Sequence, residues 1–144
     1  MVSLIDKISA GEANAAEAFR AWAEVRTTDH LRTSLRMIAE REESHARVFE
    51  SRMQDLGAEW RAGASEENKQ LKTFLSDPDR SDFAKINEFV RQTGDPAAVI
   101  GPIEDFAAQL MEDLESKEAL RLFTEAEYST LKWARDMCST NKLK

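Results

Sequence analysis

The chain has 144 residues, enough for one domain with a sizeable core and too few for two ordinary domains. Hydrophobic residues make up 42% and charged residues 33%, a balance typical of a folded domain rather than a disordered one. The net charge of −7 argues against sequence-independent binding to nucleic acids or to an anionic membrane surface. We therefore expect a single domain over residues 1–144 without a nucleic-acid or membrane partner.

Cys138 is the only cysteine, which excludes an internal disulfide and any metal site built from several cysteines. The first seven residues lack the basic start and long apolar run of a signal peptide. The least polar run, 96–103, is far too short to span a bilayer. These features predict a cytoplasmic protein.

Apolar residues recur at helical spacing from the start of the chain. One amphipathic run covers 3–26, and Thr27-Thr28-Asp29 then interrupts it and supplies candidate N-cap side chains. A second run covers 30–56, and Gly57 is suited to its C-cap. The two runs predict a pair of long helices that turns near residue 28.

The rest of the sequence predicts two short helices and then two long ones. Ser65 is a candidate N-cap for a short helix through Leu75, and residues 81–92 form the second amphipathic segment. The long helices are expected over 97–115 and 117–138, with Ser116 as the N-cap of the last.

No Gly or Pro marks the boundary between the last two helices, so a continuous helix over 102–138 is an alternative. No strand-like alternation occurs anywhere in the sequence. We therefore predict an all-α, ferritin-like four-helix bundle, whose long connection, 58–95, contains short helices and joins the second and third long helices.

Each long helix carries one glutamate on its apolar stripe. These residues are Glu12, Glu42, Glu104 and Glu127. An unpaired buried carboxylate is costly, so it must be protonated, paired or bound to a cation. Counted from turns near 28 and 115–116, the two glutamates of each hairpin lie at the same level to within about one helical turn. The four carboxylates therefore predict a cation site inside the bundle.

Two further patterns accompany these glutamates. Glu42 and His45 form a Glu-x-x-His pair, whose side chains are neighbours on a helix and can bind one metal. The segments that begin at Glu12 and Glu104 look alike, as do 35–42 and 120–127. The two hairpins thus form a weak internal repeat.

On these residues the sequence resembles the ferritin-like di-iron carboxylate proteins, in particular the rubrerythrin-like branch. Gly11-Glu-Ala-Asn-Ala-Ala looks like the ligand segment of that branch's first helix, and Glu42-Glu-Ser-His-Ala-Arg looks like that of its second. The resemblance is strong over 11–56 and weaker over 101–138.

In that family, two helices provide one glutamate each and two provide Glu-x-x-His. The resemblance implies five metal ligands in this chain: Glu12, Glu42, His45, Glu104 and Glu127. Glu42 and Glu127 would bridge or chelate, and the other two glutamates would be terminal ligands. The second histidine position falls on Thr130, so one metal would lack its nitrogen ligand. The alternative register, Glu125-x-x-Tyr128, has no histidine and lies on a polar stripe.

The resemblance also implies cofactors and partners. The ligand set suits one or two Fe ions, with Mn²⁺ or Zn²⁺ as alternatives. We expect an oxidative role, either ferroxidase activity, peroxide reduction or metal sensing, in a homodimer. Without a four-cysteine rubredoxin module, electrons for redox turnover would come from an external donor.

A second interpretation stays open, and Thr130 favours it: a metal-free or degenerate ferritin-like scaffold that acts as an interaction module. Glu42 and His45 would then be a hydrogen-bonded pair in the core. Glu104, which follows Gly101-Pro102, would be a first-turn glutamate favoured by the helix dipole. His30 is expected at the surface, and the tryptophans in the core or an interface: Trp22, Trp60 and Trp133.

Overall fold

A computed structural model describes residues 2–25, 27–58, 63 and 65–140. Helices hold 83% of these residues, which contain no strand, so the all-α prediction is confirmed. In chain order the helices are α1 (Val2–Glu24), α2 (Asp29–Asp55), α3 (Glu66–Leu75), α4 (Asp82–Thr93), α5 (Pro96–Ala108) and α6 (Leu114–Ser139). Within the described part of the chain, no helix combines the length and apolarity needed to cross a membrane.

The chain divides into two compact units, Met1–Asp82 and Phe83–Lys144. The first unit contains α1, α2 and α3, and the second contains α5, α6 and α4 from its second residue onward. The single domain over 1–144 and the four-helix bundle stay predictions.

The first unit is built on the antiparallel hairpin of α1 and α2, whose bounds match the predicted runs to within two residues. Large apolar side chains at helical spacing are buried in it: Ile5, Phe19, Trp22, Leu31, Leu35 and Phe49. Burying one such side chain stabilises the fold by about 1.5–3 kcal/mol relative to leaving it in water. The hairpin is therefore stabilised mainly by burial of the apolar stripes that are visible in the sequence.

The C-terminal end of α2 follows the prediction for Gly57. Leu56 is the C-cap, and Gly57 adopts a φ of +73°, a conformation that costs glycine little and other residues more. The amide of Ala58 then donates a hydrogen bond to the carbonyl of Met53, 2.9 Å away. One of the last carbonyls of the helix is satisfied in this way.

Asp82 is a polar centre of the first unit. Its buried carboxylate accepts hydrogen bonds from Trp22 Nε1 and Thr27 Oγ1, both at 2.9 Å. It also accepts from the amide nitrogen of Thr28 at 2.8 Å and from Thr28 Oγ1 at 3.1 Å. Thr28 is the N-cap residue of α2, as expected, but its side chain makes no cap bond. Asp82 therefore fixes the α1–α2 connection in place of a local cap.

An exposed ion pair also joins the two long helices of the hairpin. Arg20 Nη2 lies 2.7 Å from Glu43 Oε2 and 3.4 Å from Glu40 Oε1. The hydrogen bond from Arg20 is the main cause that holds the pKa of Glu43 below its ordinary value. A lowered folded-state pKa adds stability at neutral pH that is lost as pH falls through it. Solvent screening keeps the contribution small.

Helix α3 packs on α1 within the first unit. Ser65 is its N-cap, as predicted, and accepts a hydrogen bond from the amide of Asn68 at 3.1 Å. Asn14 Nδ2 donates to the carbonyl of Asn68, and Lys72 pairs with Glu17.

The boundary between α5 and α6 differs from the prediction. Helix α5 ends at Ala108, so the helix expected over 97–115 is too long, and the continuous helix over 102–138 is wrong. The N-cap of α6 is Asp113, whose carboxylate accepts from the amide of Ser116 at 3.0 Å. Ser116 therefore lies inside the first turn, because the acidic side chain three residues earlier already caps the helix.

Because α5 ends earlier than predicted, the turn between α5 and α6 lies at 109–113 and not near 115–116. Met111 and Leu114, which continue the apolar stripe of Ile100, Glu104 and Ala107 at helical spacing, are 80% and 67% exposed. Ile100 and Ala107 on the same stripe are buried.

Contacts also join α6 to α4 and to the α4–α5 connection. Cys138 Sγ donates a hydrogen bond to Asn87 Oδ1 at 2.9 Å, and Arg135 Nη1 donates to the carbonyl of Gly94 at 3.3 Å. Large apolar side chains are buried in the second unit: Ile86, Phe89, Ile100, Leu120, Phe123 and Leu131.

We expect Asp82→Ala to lower the free energy of unfolding by about 2–4 kcal/mol, because buried donors on Trp22 and Thr28 lose their acceptor. Urea denaturation followed by circular dichroism measures this loss. Asp79→Ala, at an exposed position, is the matched control and should change stability by less than about 0.5 kcal/mol. Equal, small losses of unfolding free energy in both variants would show that the hydrogen bonds to Asp82 do not stabilise the fold.

Candidate metal centre

The α1–α2 hairpin brings together three of the five predicted ligands, Glu12, Glu42 and His45. Each offers one ligand atom, and these atoms all lie within 4.8 Å of one another. His45 Nδ1 is 3.1 Å from Glu12 Oε2 and 3.8 Å from Glu42 Oε2. Two carboxylates and one imidazole therefore converge on one point between two helices.

Helix register explains this convergence. In α1, Glu12 follows the buried Ile8 by one turn. In α2, Glu42 follows the buried Ile38 by one turn, and His45 lies three residues further on. A hydrogen bond of 3.1 Å from Ser9 Oγ to the carbonyl of Ala46 joins the two helices about one turn away.

The cluster is nearly closed to water. The side chains of Glu12, Glu42 and His45 are only 8%, 2% and 19% exposed. Oε2 of Glu42 is buried and, among the residues that the structure describes, has no hydrogen-bond partner. A buried acceptor left without a partner costs about 1–3 kcal/mol, and more when it carries charge. Burial of this oxygen is therefore unfavourable unless a donor or a cation lies beside it.

The donor set and its spacing fit a transition-metal ion. Ligands about 2.1 Å from such an ion are roughly 3.0–4.2 Å apart, depending on the angle between them. The distances of 3.1 and 3.8 Å from His45 Nδ1 fall in this interval. Carboxylate oxygens with an imidazole nitrogen suit Fe²⁺, Mn²⁺ or Zn²⁺. The three side chains could thus hold one ion with small movements.

The other two predicted ligands lie in the second unit. Glu104 is exposed on α5, and Glu127 is half-buried on α6. Because α5 begins at Pro96, Glu104 stands in its second half, so its interpretation as a first-turn glutamate is wrong. The roles of Glu104 and Glu127 as metal ligands stay predictions.

A groove of about 600 Å³ runs between α5 and α6. Glu104 and Glu125 both line it. Arg121 Nη1 lies 2.7 Å from Glu125 Oε1, and Arg121 also pairs with Glu118, whose pKa falls below its ordinary value mainly because of that hydrogen bond. Glu125 is thus engaged in an exposed ion-pair network, as its polar stripe suggested.

Thr130, at the position where the resemblance expects a second histidine, is buried and donates a hydrogen bond to the carbonyl of Ala126 at 3.3 Å.

The expected packing of Trp22 is confirmed, because it is fully buried and stacks on Phe19 with ring centroids 6.3 Å apart. His30 is exposed, as expected, and Trp133 is half-buried. Trp60 lies outside the described residues.

Comparison of this chain with protein-family models, curated proteins and solved structures found no match. The resemblance to ferritin-like proteins therefore rests on the residues of this sequence alone, and the family's properties stay predictions.

The cluster generates a prediction about stability. In the metal-free protein, we expect Glu42→Gln to raise the free energy of unfolding by about 1 kcal/mol, because a neutral amide of the same size removes one buried charge. Urea denaturation in the presence of a chelator measures the difference. Glu40→Gln on the same helix, where the side chain is 72% exposed, is the control and should change stability by less than about 0.5 kcal/mol.

A loss of stability in Glu42→Gln would contradict this expectation. It would show that the carboxylate is stabilised by its protein surroundings without a metal.

Proposed function

We propose that this chain binds a divalent transition metal, Fe²⁺ before Mn²⁺ or Zn²⁺, through Glu12, Glu42 and His45. The observation that carries the proposal is the buried Oε2 of Glu42. It has no hydrogen-bond partner in the described part of the chain, while a second carboxylate and an imidazole lie beside it. A cation at this point would satisfy all three ligand atoms together.

Charge balance supports the same proposal. With His45 neutral, the two carboxylates carry a charge of −2, which one divalent ion cancels. The three side chains would then bind the ion as carboxylate, carboxylate and imidazole without any further ligand from the protein. This makes the hairpin a self-sufficient site for one metal.

The arrangement of the helices and a second metal site are also part of the proposal. We infer a ferritin-like four-helix bundle in which Glu104 and Glu127 are candidate ligands of a second metal. Thr130 offers no imidazole to that second ion, so we expect it to bind more weakly than the first. A homodimer is the assembly that the resemblance implies.

A bound iron ion would supply one-electron redox chemistry with dioxygen or peroxide, using an external electron donor. The residues of this chain would hold the ion and restrict access to it, since the carboxylates are almost fully covered. The proposed role is therefore oxidative: ferroxidase activity, peroxide reduction or metal sensing.

The test is metal content per chain by plasma mass spectrometry, after anaerobic loading with Fe²⁺ and separately with Mn²⁺ and Zn²⁺. We expect at least one tightly bound ion per chain in the wild type. Glu42→Gln/His45→Gln should lose that ion, because two of its three ligands are removed. Glu40→Gln/His30→Gln is the matched control, since it makes the same two changes at exposed positions of the same helix.

A further variant distinguishes a chain that binds one metal ion from a chain that binds two. Glu104→Gln/Glu127→Gln should keep the first ion and lose only a second, if the wild type binds two. Loss of all metal in this variant would contradict a self-sufficient hairpin site.

The second candidate function is a metal-free scaffold that acts as an interaction module. The buried Thr130 favours it, because the side chain fills the core where the resemblance expects a ligand. Equal metal content in the wild type and in Glu42→Gln/His45→Gln would leave this interpretation in place of the metal site.

A further inference from the structure

We infer that the groove between α5 and α6 is the surface through which two copies of this chain associate, about a two-fold axis that runs along the groove. The inference rests on the homodimer named in the proposed function and gives it an interface. It does not depend on the metal of the α1–α2 hairpin, because every residue that it uses lies in the second unit.

The two walls of the groove carry opposite charges that are free to pair with a partner. Glu104 lines the groove from α5, and Lys117 lines it from α6. Neither side chain forms an ion pair with any residue that the structure describes. The other cation of the groove, Arg121, is already engaged by Glu118 and Glu125. Glu104 and Lys117 are therefore the charges to which a partner would be matched.

These two charges lie at the same level of the groove. Glu104 is four residues from the end of α5, and Lys117 is three residues from the start of α6. At 1.5 Å per residue, both lie roughly 5–6 Å from the turn that joins the helices. A two-fold rotation about an axis along the groove exchanges the walls and keeps each level. Glu104 of each copy would then face the partner's Lys117, so that the dimer would contain two ion pairs.

Apolar residues at the end of the groove next to the turn fit the same rotation. On the α6 wall Leu114 is 67% exposed, and on the α5 wall the corresponding positions are the small residues Ala107 and Ala108. The rotation would place Leu114 of one copy against the partner's Ala108, where a small side chain leaves room for a large one. Met111, which is exposed in the adjoining turn, would add apolar area. Removing these side chains from water would favour association.

The pairing of charges is the reason to choose a second copy as the partner. A basic peptide would compensate Glu104 but not Lys117, and an acidic peptide would do the reverse. A second copy brings both charges at the required spacing. The same surface patch on both subunits, matched to itself, is what a two-fold interface requires.

Charge reversal followed by sedimentation velocity tests the interface. We expect the wild type to dimerise, and Glu104→Lys and Lys117→Glu each to raise the dissociation constant of the dimer at least about tenfold, because each creates two like-charge contacts per dimer. Asp105→Lys and Lys132→Glu, at exposed positions of the same helices outside the groove, are the matched controls and should leave the dissociation constant unchanged. A chelator is present throughout, because Glu104 is also the candidate ligand of a second ion.

Mixing the two charge-reversed variants provides a test that a general loss of folding would not mimic. An equimolar mixture of Glu104→Lys and Lys117→Glu restores both ion pairs in the heterodimer, since one chain then carries two lysines and the other two glutamates. We expect heterodimers with a dissociation constant near that of the wild type, identified by native mass spectrometry. Circular dichroism checks that each variant alone is folded.

The outcomes separate this interface from the metal site. A monomeric wild type, or a dimer that neither charge reversal weakens, would overturn the interface. A mixture that associates no better than the separate variants would overturn the pairing of Glu104 with the partner's Lys117. The hairpin metal is measured independently, by comparing the metal content of the wild type with that of Glu42→Gln/His45→Gln, so either proposal can fail while the other stands.

Discussion

The balance of charge between α1 and α2 is the constraint on which the functional interpretation depends. Ligand atoms of two carboxylates and one imidazole lie within 4.8 Å of one another, and Glu42 Oε2 is buried with no hydrogen-bond partner on any described residue. The apolar stripes of the hairpin supply the free energy that keeps these groups out of water. Such a position is stable only if a proton or a cation compensates the charge, and the two carboxylates beside one nitrogen favour a cation.

The sequence was sufficient to predict this hairpin because each of its determinants is local. The spacing of apolar residues predicted the bounds of both helices to within two residues, and Gly57 predicted where the second helix ends. The inward position of Glu12 and Glu42 followed from the same spacing. Their proximity to His45 followed from counting residues on either side of one turn, which works when both helices are regular and the turn is short.

Other features depend on contacts that a local pattern does not reveal. Asp82 lies more than fifty residues from Thr27 and Thr28, and nothing near it in the sequence indicates that its carboxylate receives their hydrogen bonds. The α5–α6 boundary was missed for a different reason. Asp113 precedes Ser116 by three residues and is a good N-cap, but Met111 and Leu114 continued the helical apolar spacing and concealed the break. Periodicity alone cannot separate a buried apolar residue from an exposed one in a turn.

The two hairpins that resemble each other in sequence are unequal in structure, and this inequality bears on the number of metals. Helix α1 has 23 residues and buries Glu12, whereas α5 has 13 and leaves Glu104 exposed. Glu104 also lies only four residues before the end of α5, where the helix dipole disfavours a negative charge. A carboxylate in water has little need of a cation, whereas a buried one requires compensation. The need for a compensating proton or cation is therefore greatest in the first hairpin, and the proposed second ion would bind carboxylates that have less need of it.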